Sequence, residues 1–303
     1  MNGNPVSNGN PVSRTFRRIV SGEPDGLPEW ARSLDQGEDA GLFGPGSAPW
    51  VVHGSLTTLV GGIRALLLQA LHPGALAGVT RHSRYEDDPL GRLAGTTRWL
   101  VTLTFGDSAA VERESARVRG MHGKVRGTYT AVDGQERAYA AGDPHLLRWV
   151  HLAFTDSFLT THEVFGGAIP GGPDAYVADW AKAAVPLGLA DPPRSAAELR
   201  KQLHSYDAEL DGGPAAREVA RFVLNPPLPL GAKPAYAVLA AGAVSTLEPR
   251  HRDLLGLRSL PRVPPQTASR TLLRAMRVAV GERSPSEQAA RARIERLAAG
   301  RVD

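Results

Sequence analysis

Apolar residues recur at intervals of three and four over most of this chain, the period of helices rather than strands. From Leu56 to Leu71 they are too dense for a single face, which predicts a buried helix. His72-Pro73 ends it, because the residue before a proline avoids helical geometry. Asp88-Pro89 supplies an N-cap and a first-turn proline for the next helix, which carries Arg92 and Thr96 and runs to Phe105-Gly106. Asp107 caps another, which carries His122. Between Thr128 and Tyr139 the period shortens, and Asp133-Gly134 stands between two short alternating runs, the pattern of a small β-hairpin. Asp143-Pro144 restarts a helix that extends to Gly166. Ser195-Ala-Ala-Glu198 and Ser284-Pro-Ser-Glu287 are capping boxes that open two later helices. Pro226-Pro227 and Pro261 to Pro265 mark loops, and Lys233–Leu247 is apolar enough to pack back on what precedes it. The expected fold class is all-α: one helical domain over residues 28–300 with a single hairpin near 128–139. Residues 1–27 are polar, rich in turn formers and repeat Asn-Gly-Asn-Pro-Val-Ser, so a disordered N-terminal arm is expected there.

Composition narrows the chemistry. The 303 residues contain no cysteine and only three methionines. Disulfides, zinc–thiolate sites, iron–sulfur clusters and thiolate-ligated haem are therefore excluded, and any metal falls first to histidine. The net charge of +4 comes from 35 basic against 31 acidic side chains. The arginines are scattered among the acids except between Arg113 and Arg126 and in the C-terminal helix. No aromatic residues interleave with either cluster, so no nucleic-acid partner is expected. No run of uncharged apolar residues is long enough to span a bilayer, so no stable membrane insertion is expected. Arg17-Arg18 resembles a twin-arginine export signal but no apolar stretch follows it, and a cytoplasmic protein is expected.

The candidate chemistry lies in the middle of the chain. Arg92 and Thr96 are four apart and share a helix face. Val111, Val118, His122 and Val125 fall at helical spacing, which puts His122 on the apolar side. Gly120, Gly123 and Gly127 each cost a helix about 1 kcal/mol against alanine, as if something flat had to come close. Arg119 and Arg126 stand three before and four after His122, and arginine pairs bidentately with carboxylates. Two readings of His122 stay open: a ligand to haem iron with the arginines on the propionates, or a core histidine bonded to a carbonyl. Arg92 and Thr96 are likewise either a structural hydrogen-bonding element or a cation and hydroxyl that steady a polarised oxygen. His72, His82 and His151 are further candidates, His72 at a helix end where a histidine can bond free carbonyls. No two histidines four apart on a helix are accompanied by carboxylates, so a di-iron or zinc site on one helix is not expected. A phosphate-binding glycine loop and the Gly-x-Ser-x-Gly nucleophile elbow are both absent.

These residues also carry a resemblance. Leu66-Leu-Leu-Gln-Ala-Leu-His72-Pro, Asp88-Pro-Leu-Gly-Arg92-Leu-Ala-Gly-Thr96, Val118-Arg-Gly-Met-His122-Gly-Lys-Val, Tyr139-Ala-Ala-Gly-Asp-Pro and Trp149-Val-His151, in that order, are similar to the rubber oxygenase family. That family includes latex clearing proteins and the MpaB-type oxygenase of mycophenolic acid synthesis. The resemblance covers roughly residues 45 to 250, and it is a matter of order and spacing rather than of any one motif. It implies an all-helical, globin-like fold, a b-type haem and dioxygen-dependent cleavage of carbon–carbon double bonds in isoprenoid chains. By position, His122 matches the proximal haem ligand, and Arg92 and Thr96 match the family's active-site arginine and threonine. Where latex clearing proteins carry a lysine before that threonine, this chain has Gly95. His151, Arg119 and Arg126 join His122 as candidate haem contacts. The expectation is a haem b-dependent oxygenase that takes dioxygen and a small apolar, isoprenoid-like substrate. The alternatives are a haem carrier or sensor without that chemistry, and a helical interaction module with an empty haem site.

Overall fold

Helices form where the apolar period is three to four, and the caps named above start several of them. A computed structural model describes residues 28–82, 89–257, 263–281 and 283–300. The arm expected over residues 1–27 and the cap expected at Asp88 lie outside them. In chain order the first helices are α1 (Glu29–Arg32), α2 (Ala48–Gly54), α3 (Thr58–Gln69), α4 (Pro73–His82), α5 (Pro89–Phe105) and α6 (Ser108–His122). Strands β1 (Arg126–Thr130) and β2 (Glu136–Ala140) follow. Then come α7 (Pro144–Phe165), α8 (Gly172–Ala184), α9 (Ala196–His204) and α10 (Pro214–Leu224). The last are α11 (Lys233–Thr246), α12 (Pro249–Leu254), α13 (Val263–Val280) and α14 (Pro285–Ala299). The chain is all-α with one small hairpin, as the periodicity predicts.

The caps hold as read. Asp107 accepts from Ala110 N at 2.9 Å and Asp143 from His145 N at 2.8 Å. Ser195 and Ser284 accept from the N–H groups of Glu198 and Glu287, each at 3.1 Å. Such a cap typically contributes about 1 kcal/mol. The return half of each box is altered. Glu198 accepts from Arg194 N instead of Ser195, and Glu287 is engaged by Arg291 one turn on.

The core is built on α3, whose dense apolar sequence is explained by contact on two sides. It packs most extensively along α7 and on its other side against α11, which in turn carries α13. Leu67, Leu68, Trp149 and Leu152 are fully buried at the α3–α7 layer. One charge enters this layer: Arg64 of α3, 2% exposed, meets Asp156 of α7 at 2.6 Å and donates to Ser157 Oγ at 2.9 Å. Among the described residues no single helix is long and apolar enough to cross a membrane.

The hairpin differs in detail from its prediction. It begins at Arg126, pairs Gly127 with Tyr139, and turns through Gly134 at φ 80°. It lies on α4, where Ala77, Tyr139 and Leu146 make a small second core. This start shortens the preceding helix. α6 ends at His122 with Gly123 as its C-cap, so Val125 is not on the helix face assigned to it. Gly127 lies in a strand, and a Cβ there would stand 2.9 Å from the Tyr139 ring. The flat group that Gly127 accommodates is therefore this chain's own tyrosine. Gly120 has open space around it among the described residues.

Candidate functional site

α5, α6 and α7 carry most of the candidate residues: Arg92 and Thr96 on the first, Arg119 and His122 on the second, His151 on the third. α5 packs on α6, and Arg98 of α5 meets the buried carboxylate of Glu114 of α6 at 3.0 Å. Arg117 closes on the same carboxylate from one turn further along α6. On the other side, the Trp99 ring of α5 meets Phe154 of α7 edge-on, with centroids 5.6 Å apart. Thr96 is one turn before Trp99, and His151 is one turn before Phe154, so the two flank this aromatic contact. Thr96 is exposed on α5 and engaged in an interaction of its own. Arg92 is placed by its backbone one turn earlier on α5, and its side chain lies outside the described residues.

His122 ends the buried face of α6, four residues beyond Val118 and seven beyond Ser115. Its ring is half-buried and makes no hydrogen bond among the described residues. Burial alone lowers its pKa below the ordinary histidine value, so the ring is neutral at pH 7 and keeps a lone pair unused. His151 is also neutral: burial pushes it down to about 4. Its Nε2 stands 3.5 Å from Thr155 Oγ1, whose own proton goes to the His151 carbonyl at 2.7 Å. The Trp99 indole N–H is buried without a partner among the described residues. Two neutral imidazoles, and an indole donor unpaired among the described residues, are thus carried by α6, α7 and α5.

The two arginines flanking His122 are placed differently from one another. Arg119 is exposed, pairs with Glu112 Oε1 at 2.7 Å, and donates to the carbonyl of Pro186 in the 3-10 turn Val185–Leu187. Arg126 sits in β1 with its side chain exposed, and its carbonyl faces His82 Nε2 at 3.0 Å.

His72 does not bond free helix carbonyls, as its position before Pro73 had suggested. Its Nδ1 accepts from Gly74 N at 3.1 Å, so the ring caps the first turn of the helix that follows. Sequence reasoning also missed what His72 faces. His145 and Glu209, 73 and 137 positions away by subtraction of their numbers, bring ring nitrogens and a carboxylate to within 4.8 Å of one another with it. No spacing rule could have joined three residues from three separate junctions.

Comparison with known proteins assigns the chain at the level of family. No curated protein and no solved structure matches the chain significantly. Residues 50–281 match the family described as ER-bound oxygenase mpaB/B'/Rubber oxygenase, catalytic domain. That stretch runs from α2 to the end of α13 and contains every candidate residue above. This all-α domain thus belongs to the mpaB/rubber oxygenase catalytic-domain family, a family of oxygenases.

Proposed function

We propose that this protein is a haem b-dependent oxygenase that acts on a small apolar, isoprenoid-like substrate, by oxidative cleavage of a carbon–carbon double bond. The observation that carries the reading is His122: a half-buried imidazole, held neutral by burial, with no hydrogen bond to its ring among the described residues. A neutral imidazole with a free nitrogen is the donor that haem iron takes. The family supports the oxygenase class. When bound, haem b would supply the redox-active iron needed to use dioxygen.

The chain's own residues have separate tasks in this reading. His122 holds the group from the end of α6, and His151 presents a second neutral ring from α7. Arg92 and Thr96, one turn apart on α5, orient the oxidant with a cation and a hydroxyl. Arg119 and Arg126 flank His122 and hold the carboxylates of the cofactor. For Arg119 this requires exchange of its present partner Glu112, an exposed pair of small net worth. Trp99, one turn beyond Thr96 on α5, adds a buried indole N–H that is unpaired among the described residues. The working domain spans residues 28–300.

Haem titration of the purified protein tests the reading. The wild type is expected to take up one equivalent with an intense Soret band, and His122→Ala to lose it while circular dichroism stays helical. Retention of the full band by His122→Ala would assign the ligand elsewhere. Arg92→Gln and Thr96→Ala are expected to keep haem and thermal stability, yet lose about 10²–10³ in oxygen uptake with an alkene substrate. Parallel loss of haem and stability would make that pair structural instead.

A further inference from the structure

The junction of α3 with α4, the start of α7 and the 3-10 turn Asp207–Glu209 meet at one point on the molecule. His72, His145 and Glu209 converge there. We propose that these three side chains form a second metal site, for a divalent first-row transition ion of which zinc is the best fit.

The two distances from the carboxylate oxygen bracket that of a tetrahedral coordination shell. Glu209 Oε2 stands 2.8 Å from His145 Nε2 and 3.4 Å from His72 Nε2, and all three donor atoms lie within 4.8 Å. Ligands bound at about 2.0–2.1 Å in a tetrahedron are roughly 3.3 Å from each other. Two imidazoles and one carboxylate suit zinc and its neighbours, whereas magnesium and calcium want oxygen throughout. A further observation points to a missing ion. The His72 side chain is 1% exposed, and among the described residues its Nε2 makes no well-formed hydrogen bond, the Glu209 carboxylate standing 3.4 Å away. A buried nitrogen left in this state is costly unless something else completes it.

The site is also held in place. His72 is enclosed by the rings of Tyr129, Trp149 and Tyr206, each about 6 Å from it between centroids. Tyr206 donates its hydroxyl to the His145 carbonyl at 2.9 Å, and Asp211 N donates to the Leu71 carbonyl at 2.8 Å. These two bonds tie the Glu209 turn to both histidine-bearing junctions. Three protein ligands leave a fourth position, and His145 and Glu209 are open enough to solvent, at 49% and 32% exposure, for water to take it. One feature opposes tight binding. In the metal-free ring Nδ1 accepts from Gly74 N, so Nε2 carries the proton. Coordination through Nε2 requires the proton on Nδ1 instead, which can then no longer accept from Gly74 N; loss of that cap weakens the site relative to one whose imidazole already has this tautomer.

The test is calorimetric titration of the purified protein with Zn²⁺ alone, repeated with Co²⁺ to read tetrahedral visible absorption. One saturable equivalent is expected. His145→Ala, at an exposed position, and Glu209→Gln, at a half-buried one, are each expected to weaken it about tenfold or more. Circular dichroism confirms that both variants fold. Absence of saturable binding in the wild type overturns the proposal, as does undiminished binding in both variants. Binding lost in His204→Ala but kept in the other two would also overturn it, because it would put the ion at the exposed His204–Glu248 pair. None of these readings depends on haem, so failure here leaves the oxygenase proposal where it stands.

Discussion

At the residue scale the most consequential burial is that of His53, on α2. Its ring is 7% exposed and packed against Trp180 at 4.2 Å and Phe158 at 5.1 Å between centroids. Nε2 meets Tyr176 OH at 3.2 Å, and Nδ1 is buried without a partner among the described residues. Burial, with His162 as a lesser cause, pushes its pKa down to about 3. The unfolded chain takes up a proton near pH 6.5 that folded His53 refuses. The stability it contributes is therefore complete above about pH 6.5 and is lost as pH falls from there toward 3. One such group gives a slope of roughly 1.4 kcal/mol per pH unit inside that window. His151, pushed to about 4, adds a slope of the same sign between about pH 6.5 and 4. Urea unfolding at pH 7, 6 and 5 is expected to show this decline, and His53→Gln to flatten it by one proton's worth. An unchanged slope in that variant would mean that His53 is already protonated in the folded protein. Little of this was visible in the sequence. His53 carries no motif, and its neighbours Tyr176 and Trp180 are more than a hundred positions away. His122 was legible because α6 is amphipathic up to its last residue, which fixes the side on which that ring lies.

At the scale of elements, periodicity and caps placed the helices and the hairpin well, because those signals are local. What they could not show is where one local signal yields to another. The glycines after His122 were read as a helix under strain, whereas Gly123 ends that helix and Gly127 makes room for Tyr139 across the hairpin. Gly95 is the opposite case, a glycine inside α5 that no contact explains. Among the described residues nothing lies within 4 Å of a Cβ built there. Glycine in a helix interior costs roughly 0.5–1 kcal/mol against good helix formers. Gly95→Lys, the residue type that latex clearing proteins carry at the matching position, is therefore expected to stabilise the fold by about that amount. For a domain of this size that raises the melting midpoint by about 1–4 °C. Gly95→Ala should do the same. In haem-loaded protein only the lysine variant is expected to change the visible spectrum, since only it adds an amine. A lowered midpoint for both would show that residue 95 faces a packed surface, not open space.

The whole molecule is closed by a residue that looks like surface charge in the sequence. Arg293 lies among the arginines of the C-terminal helix, and spacing alone does not distinguish it from Arg291 or Arg296. In the fold it is 0% exposed. Nη1 donates to the Leu34 carbonyl and Nη2 to the Phe105 carbonyl, each at 2.8 Å. One guanidinium thus joins α14 to the 3-10 turn after α1 and to the end of α5, segments 259 and 188 positions away. Phe105 ends the helix that bears Arg92 and Thr96, so this clamp fixes the far end of the element that carries the proposed oxygen-orienting pair. Arg296 reaches the same N-terminal segment through the Gly37 carbonyl at 2.9 Å, but from an exposed position. The two should therefore respond very differently to truncation. Arg293→Ala leaves two buried carbonyls without donors, at about 1–3 kcal/mol each, so a loss of roughly 2–5 kcal/mol is expected. Arg296→Ala is expected to cost less than about 1 kcal/mol. Arg293→Lys keeps the charge but cannot reach both carbonyls with one planar fork, and its loss should fall between the two. Urea unfolding of the three variants reads this order directly. If Arg293→Ala unfolds within 1 kcal/mol of wild type by the same measure, water has replaced the guanidinium and α14 does not close the molecule. If it unfolds early, haem uptake should weaken in step with stability, because the end of α5 is then no longer held.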